Sequence, residues 1–132
     1  MNQRPFDIPR VGFGTYKIEN DLAERSVTEA LNAGYRHIDT AEGYRNEEGV
    51  GRALARSGLS RGEVFVTTKL WPGNPDWGDH VKSYSDTLAS LDQSLERLGL
   101  DYVDLYLIHA PCGGDKRLEQ WEALIQAQQL GK

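Results

Sequence analysis

The apolar positions of this chain switch between two periods at regular intervals, and the switches mark out its elements. Val81, Tyr84, Leu88, Leu91, Leu95 and Leu98 advance by three and four residues, one stripe along one helical face, and Gly99 stands where a left-handed residue closes a helix. Val50, Ala53 and Leu54 lie inward on a second predicted helix, Asn46 to Ser57, which stops at Gly58. Asn20 and Asp21 offer cap chemistry for a helix reaching Ala33 before Gly34. Leu118, Trp121, Leu124 and Ile125 predict one more, ending at Leu130-Gly131-Lys132. Between these helices the apolar residues crowd into short runs, Val11 to Tyr16, Tyr35 to Asp39, Val64 to Lys69 and Tyr102 to His109, which read as strands. Ser60-Arg61-Gly62-Glu63 has capping-box spacing just before the third of them.

Strands alternating with helices at about 30 residues per unit require parallel pairing and right-handed crossovers, so the class is α/β. Gly12-Phe13-Gly14-Thr15-Tyr16-Lys17 lacks the third glycine of a phosphate-binding turn, which weakens a doubly wound dinucleotide fold. Doubling the four units gives about 264 residues, near the roughly 250 of an eight-stranded βα barrel. Residues 1–132 are therefore expected to form a single partial domain: a short N-terminal segment and then the first four βα units of a parallel (β/α) barrel of TIM type.

Charge and composition narrow the partners. Twenty acidic residues outweigh fifteen basic ones, for a formal charge of −5, and the Lys and Arg are scattered, which argues against a nucleic-acid surface. Met1 to Asp7 lacks the apolar core of a signal peptide, and no run approaches the roughly 20 apolar residues of a membrane span, so the expectation is a cytoplasmic protein with no membrane partner. The single Cys112 has no second thiol for a disulfide or a zinc cluster, and the three His lack ligand spacing, so no metal site is expected.

The chemistry concentrates at strand ends, where βα barrels carry their reactive groups. Asp39 ends the second strand, Tyr44 follows in its loop, Lys69 ends the third and His109 ends the fourth. Together they make a proton-donating site: the Lys69 ammonium lowers the cost of ionising Tyr44, Asp39 keeps that ammonium charged and aimed, and His109 offers a hydrogen bond to a substrate oxygen. His37, two residues before Asp39, reads as structural, His80 as a surface residue, and Cys112 as a weak candidate nucleophile.

The stretches Val11-Gly12-Phe13-Gly14-Thr15-Tyr16, Asp39-Thr40-Ala41-Glu42-Gly43-Tyr44-Arg45-Asn46-Glu47, Val66-Thr67-Thr68-Lys69-Leu70-Trp71 and Asp101 to His109 resemble, in order and in register, the aldo-keto reductase family. The resemblance implies NAD(P)H-dependent reduction of aldehydes or ketones to alcohols, with NADPH, or NADH, as cofactor and a small carbonyl compound as substrate. It carries the family's tetrad onto Asp39, Tyr44, Lys69 and His109. It further implies that Gly14, Thr15, Tyr16 and Asp39 meet the cofactor and that Tyr16, Trp71 and His109 line the substrate pocket. Ala110 departs from the aromatic residue often found there, which would widen the pocket. The family's later strands, with most of the cofactor site, have no counterpart in the sequence, so self-association through exposed strand edges is expected. The alternative is a non-catalytic module resembling the family, or a truncated fragment of it, acting in assembly.

Overall fold

The computed structural model describes residues 7–132. The signal-peptide reading therefore falls almost wholly outside the described residues. Eight regular elements alternate: β1 Phe13–Gly14, α1 Asn20–Asn32, β2 His37–Asp39, α2 Glu47–Arg56, β3 Phe65–Leu70, α3 Tyr84–Leu98, β4 Leu105–Ile108 and α4 Arg117–Gln129. The strands form one parallel sheet in the order β1-β2-β3-β4, with Asp39 level with Thr67 and Lys69 level with Leu107. Sequential parallel strands, each followed by a helix, are the first four units of a (β/α) barrel.

One face of the sheet meets the helices. Ile38 of β2 and Val66 of β3 lie in a cluster with Val27, Leu31, Val50, Ala53, Leu91, Leu95 and Leu98 from the helices. Each of these larger side chains, once fully buried, contributes about 1.5–3 kcal/mol. Two glycines let α2 approach its neighbours: a Cβ on Gly49 would lie 2.4 Å from the Asn20 carbonyl oxygen, and one on Gly51 would lie 2.5 Å from that of Leu98. The alternate residues face the other way. His37 pairs with Thr67 at 2.9 Å and packs edge-on against Phe65, and Asp39 bonds Lys69 beside them, which makes this the face that leads to the chemistry.

Several element boundaries differ from the sequence pattern, most for a local reason. Strand β1 is only two residues long, although Thr15 N–H beyond it still donates to the Asp39 carbonyl at 3.0 Å. Strand β4 begins at Leu105 because the Asp104 carboxylate takes the Val66 N–H at 2.8 Å and the Arg61 guanidinium at 2.7 Å. Helix α3 starts at Tyr84 rather than Val81, because Ser83 and Asp86 close a reciprocal capping box there. Ser60 and Glu63 form the capping box expected of them, around a single 3-10 turn. Asn20 caps nothing of its own; Glu19 holds that position, and the Asn20 carboxamide accepts from Gly49 N–H at 2.9 Å, joining α1 to α2.

Helix α4 forms where Leu118, Trp121, Leu124 and Ile125 predict it, but of these four only Leu124 is buried, beside Gln120, Ala123 and Ala127, and the other three are exposed. The small residues allow close packing against α3, and the deeply buried Gln120 carboxamide donates to the carbonyls of Pro72 and Lys82, both at 3.0 Å.

Candidate active site

Lys69 holds the centre of the site. Its ammonium donates to Asp39 Oδ1 at 2.6 Å and to the Thr40 carbonyl at 2.9 Å, and lies 3.4 Å from the Tyr44 hydroxyl. An ammonium has three donors and no acceptor, so these three oxygens match its capacity. Its side chain is only 12% exposed, and the pairing with Asp39 is what makes a buried charge tolerable there. The register explains the meeting: Lys69 lies two residues beyond Thr67, the partner of Asp39, and so on the same face of adjacent strands.

Tyr44 reaches the same point from a 3-10 turn, Glu42–Tyr44, that begins just after β2. Arg45 ends the turn with a left-handed backbone, φ 56°, which a non-glycine residue adopts only when its surroundings insist. Here they do. The fully buried Asn46 donates to the carbonyls of Thr15 at 2.8 Å and Ile18 at 2.9 Å, and accepts from the Thr40 hydroxyl at 2.8 Å. One carboxamide thus ties the loop after β1 to the loop after β2.

His109 follows β4, and its N–H donates to the Leu70 carbonyl at 2.9 Å. Its ring stands edge-on to Tyr44 at 5.4 Å and to Trp71 at 5.9 Å, while Tyr16 packs on Tyr44 at 5.1 Å. Desolvation, reinforced by repulsion from the Lys69 ammonium, lowers the His109 pKa below its ordinary value. Its Nδ1 is buried without a hydrogen-bond partner. Together Tyr16, Tyr44, Trp71 and His109 line an open concavity of about 1090 Å³.

All four tetrad positions and both substrate-lining aromatics named from sequence therefore meet at one mouth. Thr15 differs in kind: it is fully buried, with its hydroxyl 3.1 Å from the Asp39 carbonyl, so its side chain braces the loop. Gly14 is open, since an added Cβ would meet nothing within 4 Å. Sequence reasoning missed the supporting residues. The pattern marks Asn46 only as a helix start, and it gives no sign of Glu42, whose carboxylate holds the Trp71 N–H and the Lys82 ammonium. Glu47, also buried, joins Thr68 of β3 to Arg97 of α3. A polar pair, Asn46-Glu47, set where an amphipathic helix begins, is the available signal. Trp77, stacked on Trp71, was not singled out either.

The other candidates lie elsewhere. His37 is engaged with Thr67 and Phe65, His80 is an exposed partner of Asp86 at 2.9 Å, and Cys112 is half-buried in the loop after β4. A cavity of about 410 Å³ between α2 and α3 is lined by Arg52, Arg61 and Arg97, but these pair with Glu24, Asp104 and Glu47 respectively. Among the described residues, no group of three or more His, Cys, Asp or Glu could hold a metal ion, and no helix is long and apolar enough to cross a membrane.

The chain is similar in sequence and in fold to known proteins. Glyoxal reductase of Bacillus subtilis is 49% identical over 127 residues, which cover 96% of this chain and 43% of that protein. A crystal structure of an aldo/keto reductase from Brucella melitensis superposes with a TM-score of 0.85 at 51% identity, covering 94% of this chain and 45% of the other. A Bombyx mori aldo-keto reductase, solved in complex with NADP, gives a TM-score of 0.81 at 39% identity, over 94% of this chain and 44% of that one. The chain thus spans less than half the length of the relatives it matches. The family model for aldo/keto reductases begins at residue 10 and runs to residue 132, taking in every strand and strand-end group described above, and the chain belongs to that family.

Proposed function

We propose that this chain carries the proton-donating half of an enzyme that reduces aldehydes or ketones to alcohols with NADPH, with Tyr44 as the acid. The observation that carries this reading is the Lys69 ammonium, 3.4 Å from the Tyr44 hydroxyl and fixed by Asp39 and the Thr40 carbonyl. As the proton leaves Tyr44 for the substrate oxygen, negative charge grows on the phenolic oxygen, and the ammonium stabilises it without having to move. Asp39 keeps the ammonium aimed.

His109 orients the carbonyl. Its lowered pKa favours the neutral ring, and with Nδ1 buried and unpartnered, the proton belongs on Nε2, because a buried lone pair is more readily left unsatisfied than a buried N–H. Nε2–H then donates to the substrate oxygen, beside the incoming proton. Tyr16 and Trp71 shield the carbonyl from water.

The residues fit the reactive end of a nicotinamide. The loop leaves open space at Gly14, and Asp39 spends one carboxylate oxygen on Lys69, so the segment Gly14, Thr15 and Tyr16, with Asp39, would hold it. Such a cofactor, when bound, supplies the hydride that the carbonyl carbon needs.

The test is Tyr44→Phe in a barrel completed with the C-terminal half of a relative. Carbonyl reduction should fall by about 10²-fold or more while NADPH affinity changes only a few-fold, because the substitution deletes a proton that moves only in the transition state. An active Tyr44→Phe enzyme would overturn the assignment.

A further inference from the structure

The loop between β3 and α3 exposes an indole where a solvent-facing residue would ordinarily be polar. Trp77 is 72% exposed, and its ring lies nearly parallel to that of Trp71, at 5.7 Å between centroids and 19° between planes. Trp71 in turn stands edge-on to His109. The stack therefore extends the aromatic lining of the mouth outward from the residue that orients the carbonyl, and both indoles line the same concavity.

This loop is built to hold the indole still. Asn74 accepts from Asp76 N–H at 3.1 Å to start the 3-10 turn Pro75–Trp77, and its carbonyl takes the N–H groups of Trp77 and Asp79, both at 3.0 Å. The Asp79 carboxylate holds the Trp71 indole N–H at 3.0 Å and the Asn74 N–H at 3.3 Å. Gly78 turns the chain with φ 78°, and Gln120 of α4 grips both ends of the loop at Pro72 and Lys82. A large apolar ring held rigidly in water loses little freedom when a flat partner arrives, so it favours binding.

We propose that Trp77 is a specificity-determining residue: with Trp71 it forms an aromatic wall that selects carbonyl substrates bearing a planar aromatic group. The inference rests on the reading of this mouth as a carbonyl-reducing site. Small aliphatic carbonyls, held near Tyr44 and His109, do not reach Trp77. An aryl group attached to the carbonyl carbon extends toward the stack and packs on it.

The test measures binding without turnover, by equilibrium dialysis of the full chain against 2-naphthaldehyde and against butanal. Trp77→Ala should weaken naphthaldehyde binding about tenfold and leave butanal within twofold. Trp77→Phe should restore most of the loss, and Trp77→Leu, bulky but not aromatic, should not. Equal binding of naphthaldehyde by the unmodified, Ala and Leu forms would overturn the inference, as would failure of the unmodified chain to bind naphthaldehyde more tightly than butanal. Because no proton transfer is measured, an active Tyr44→Phe enzyme would remove the catalytic reading and leave this result intact. Loss of Trp77 selectivity would do the reverse.

Discussion

Replacing Asn46 with alanine should be among the most damaging single changes to this fold, although the residue lies at the mouth rather than in the apolar core. The carboxamide makes three short hydrogen bonds, to the carbonyls of Thr15 and Ile18 and from the Thr40 hydroxyl. The Thr15 carbonyl keeps a second donor, the Ile18 N–H at 3.1 Å, but the fully buried Thr40 hydroxyl loses its acceptor and the Ile18 carbonyl loses its donor. With about 1 kcal/mol net for each of the three bonds and a further 1–3 kcal/mol for the stranded, fully buried Thr40 hydroxyl, the loss is about 4–6 kcal/mol. A whole domain has only about 5–15 kcal/mol, and the melting temperature should drop by roughly 10–15 °C. Urea unfolding followed by far-ultraviolet circular dichroism measures this directly, with the slope unchanged and the midpoint lowered. Asn46→Asp, nearly the same shape, should be at least as harmful, since an acceptor would then face two carbonyls. An Asn46→Ala protein within about 1 kcal/mol of the parent would refute the reasoning, because it would mean that the two loops do not depend on this residue.

Two further outcomes concern titration. Burial holds the Tyr106 pKa above its ordinary value, with Glu42 and Glu47 adding to it, and its hydroxyl has no partner. The folded state thus favours the protonated form, so this contribution to stability is complete below about pH 10 and is lost as the pH rises toward the raised folded value. Tyr106→Phe should abolish that alkaline loss in urea titrations, and an unchanged alkaline profile would contradict the assignment. The His109 ring proton resonance should titrate below the ordinary midpoint of about 6.5. Lys69→Met, by removing the repelling ammonium, should move the midpoint upward; no movement would mean that the two groups do not interact.

How much of this was legible beforehand depended on whether a residue answers to its own neighbours or to distant ones. Lys69, Asp39 and His109 sit at strand ends, and the two-residue period of a strand determines the side on which they emerge, so their convergence follows from parallel pairing alone. The capping box at Ser60 and Glu63 is equally local. The inner face of α4 does not follow from its most apolar residues, Leu118, Trp121 and Ile125, because close packing on α3 selects Ala123 and Ala127, and two loop carbonyls select Gln120. A carboxamide buried for the benefit of a loop 48 residues earlier leaves no trace in any local pattern. Asn46 was hidden for the same reason, its partners lying 28 and 31 residues back along the chain.

The grip of Gln120 on Pro72 and Lys82 also has a temporal meaning during synthesis. Each bond that closes the mouth joins a residue to one emerging earlier: Lys69 reaches back 30 residues to Asp39, Arg97 reaches 50 back to Glu47, and Gln120 reaches 48 back to Pro72. Chains fold from the N-terminus as they leave the ribosome, so each closure becomes possible only once its later partner has emerged. The cluster of Asp39, Tyr44 and Lys69 can therefore assemble on the nascent chain while the loop bearing Trp77 still lacks its clamp. That loop gains its clamp only when α4 emerges, so the outer wall of the mouth is completed after the cluster at its centre.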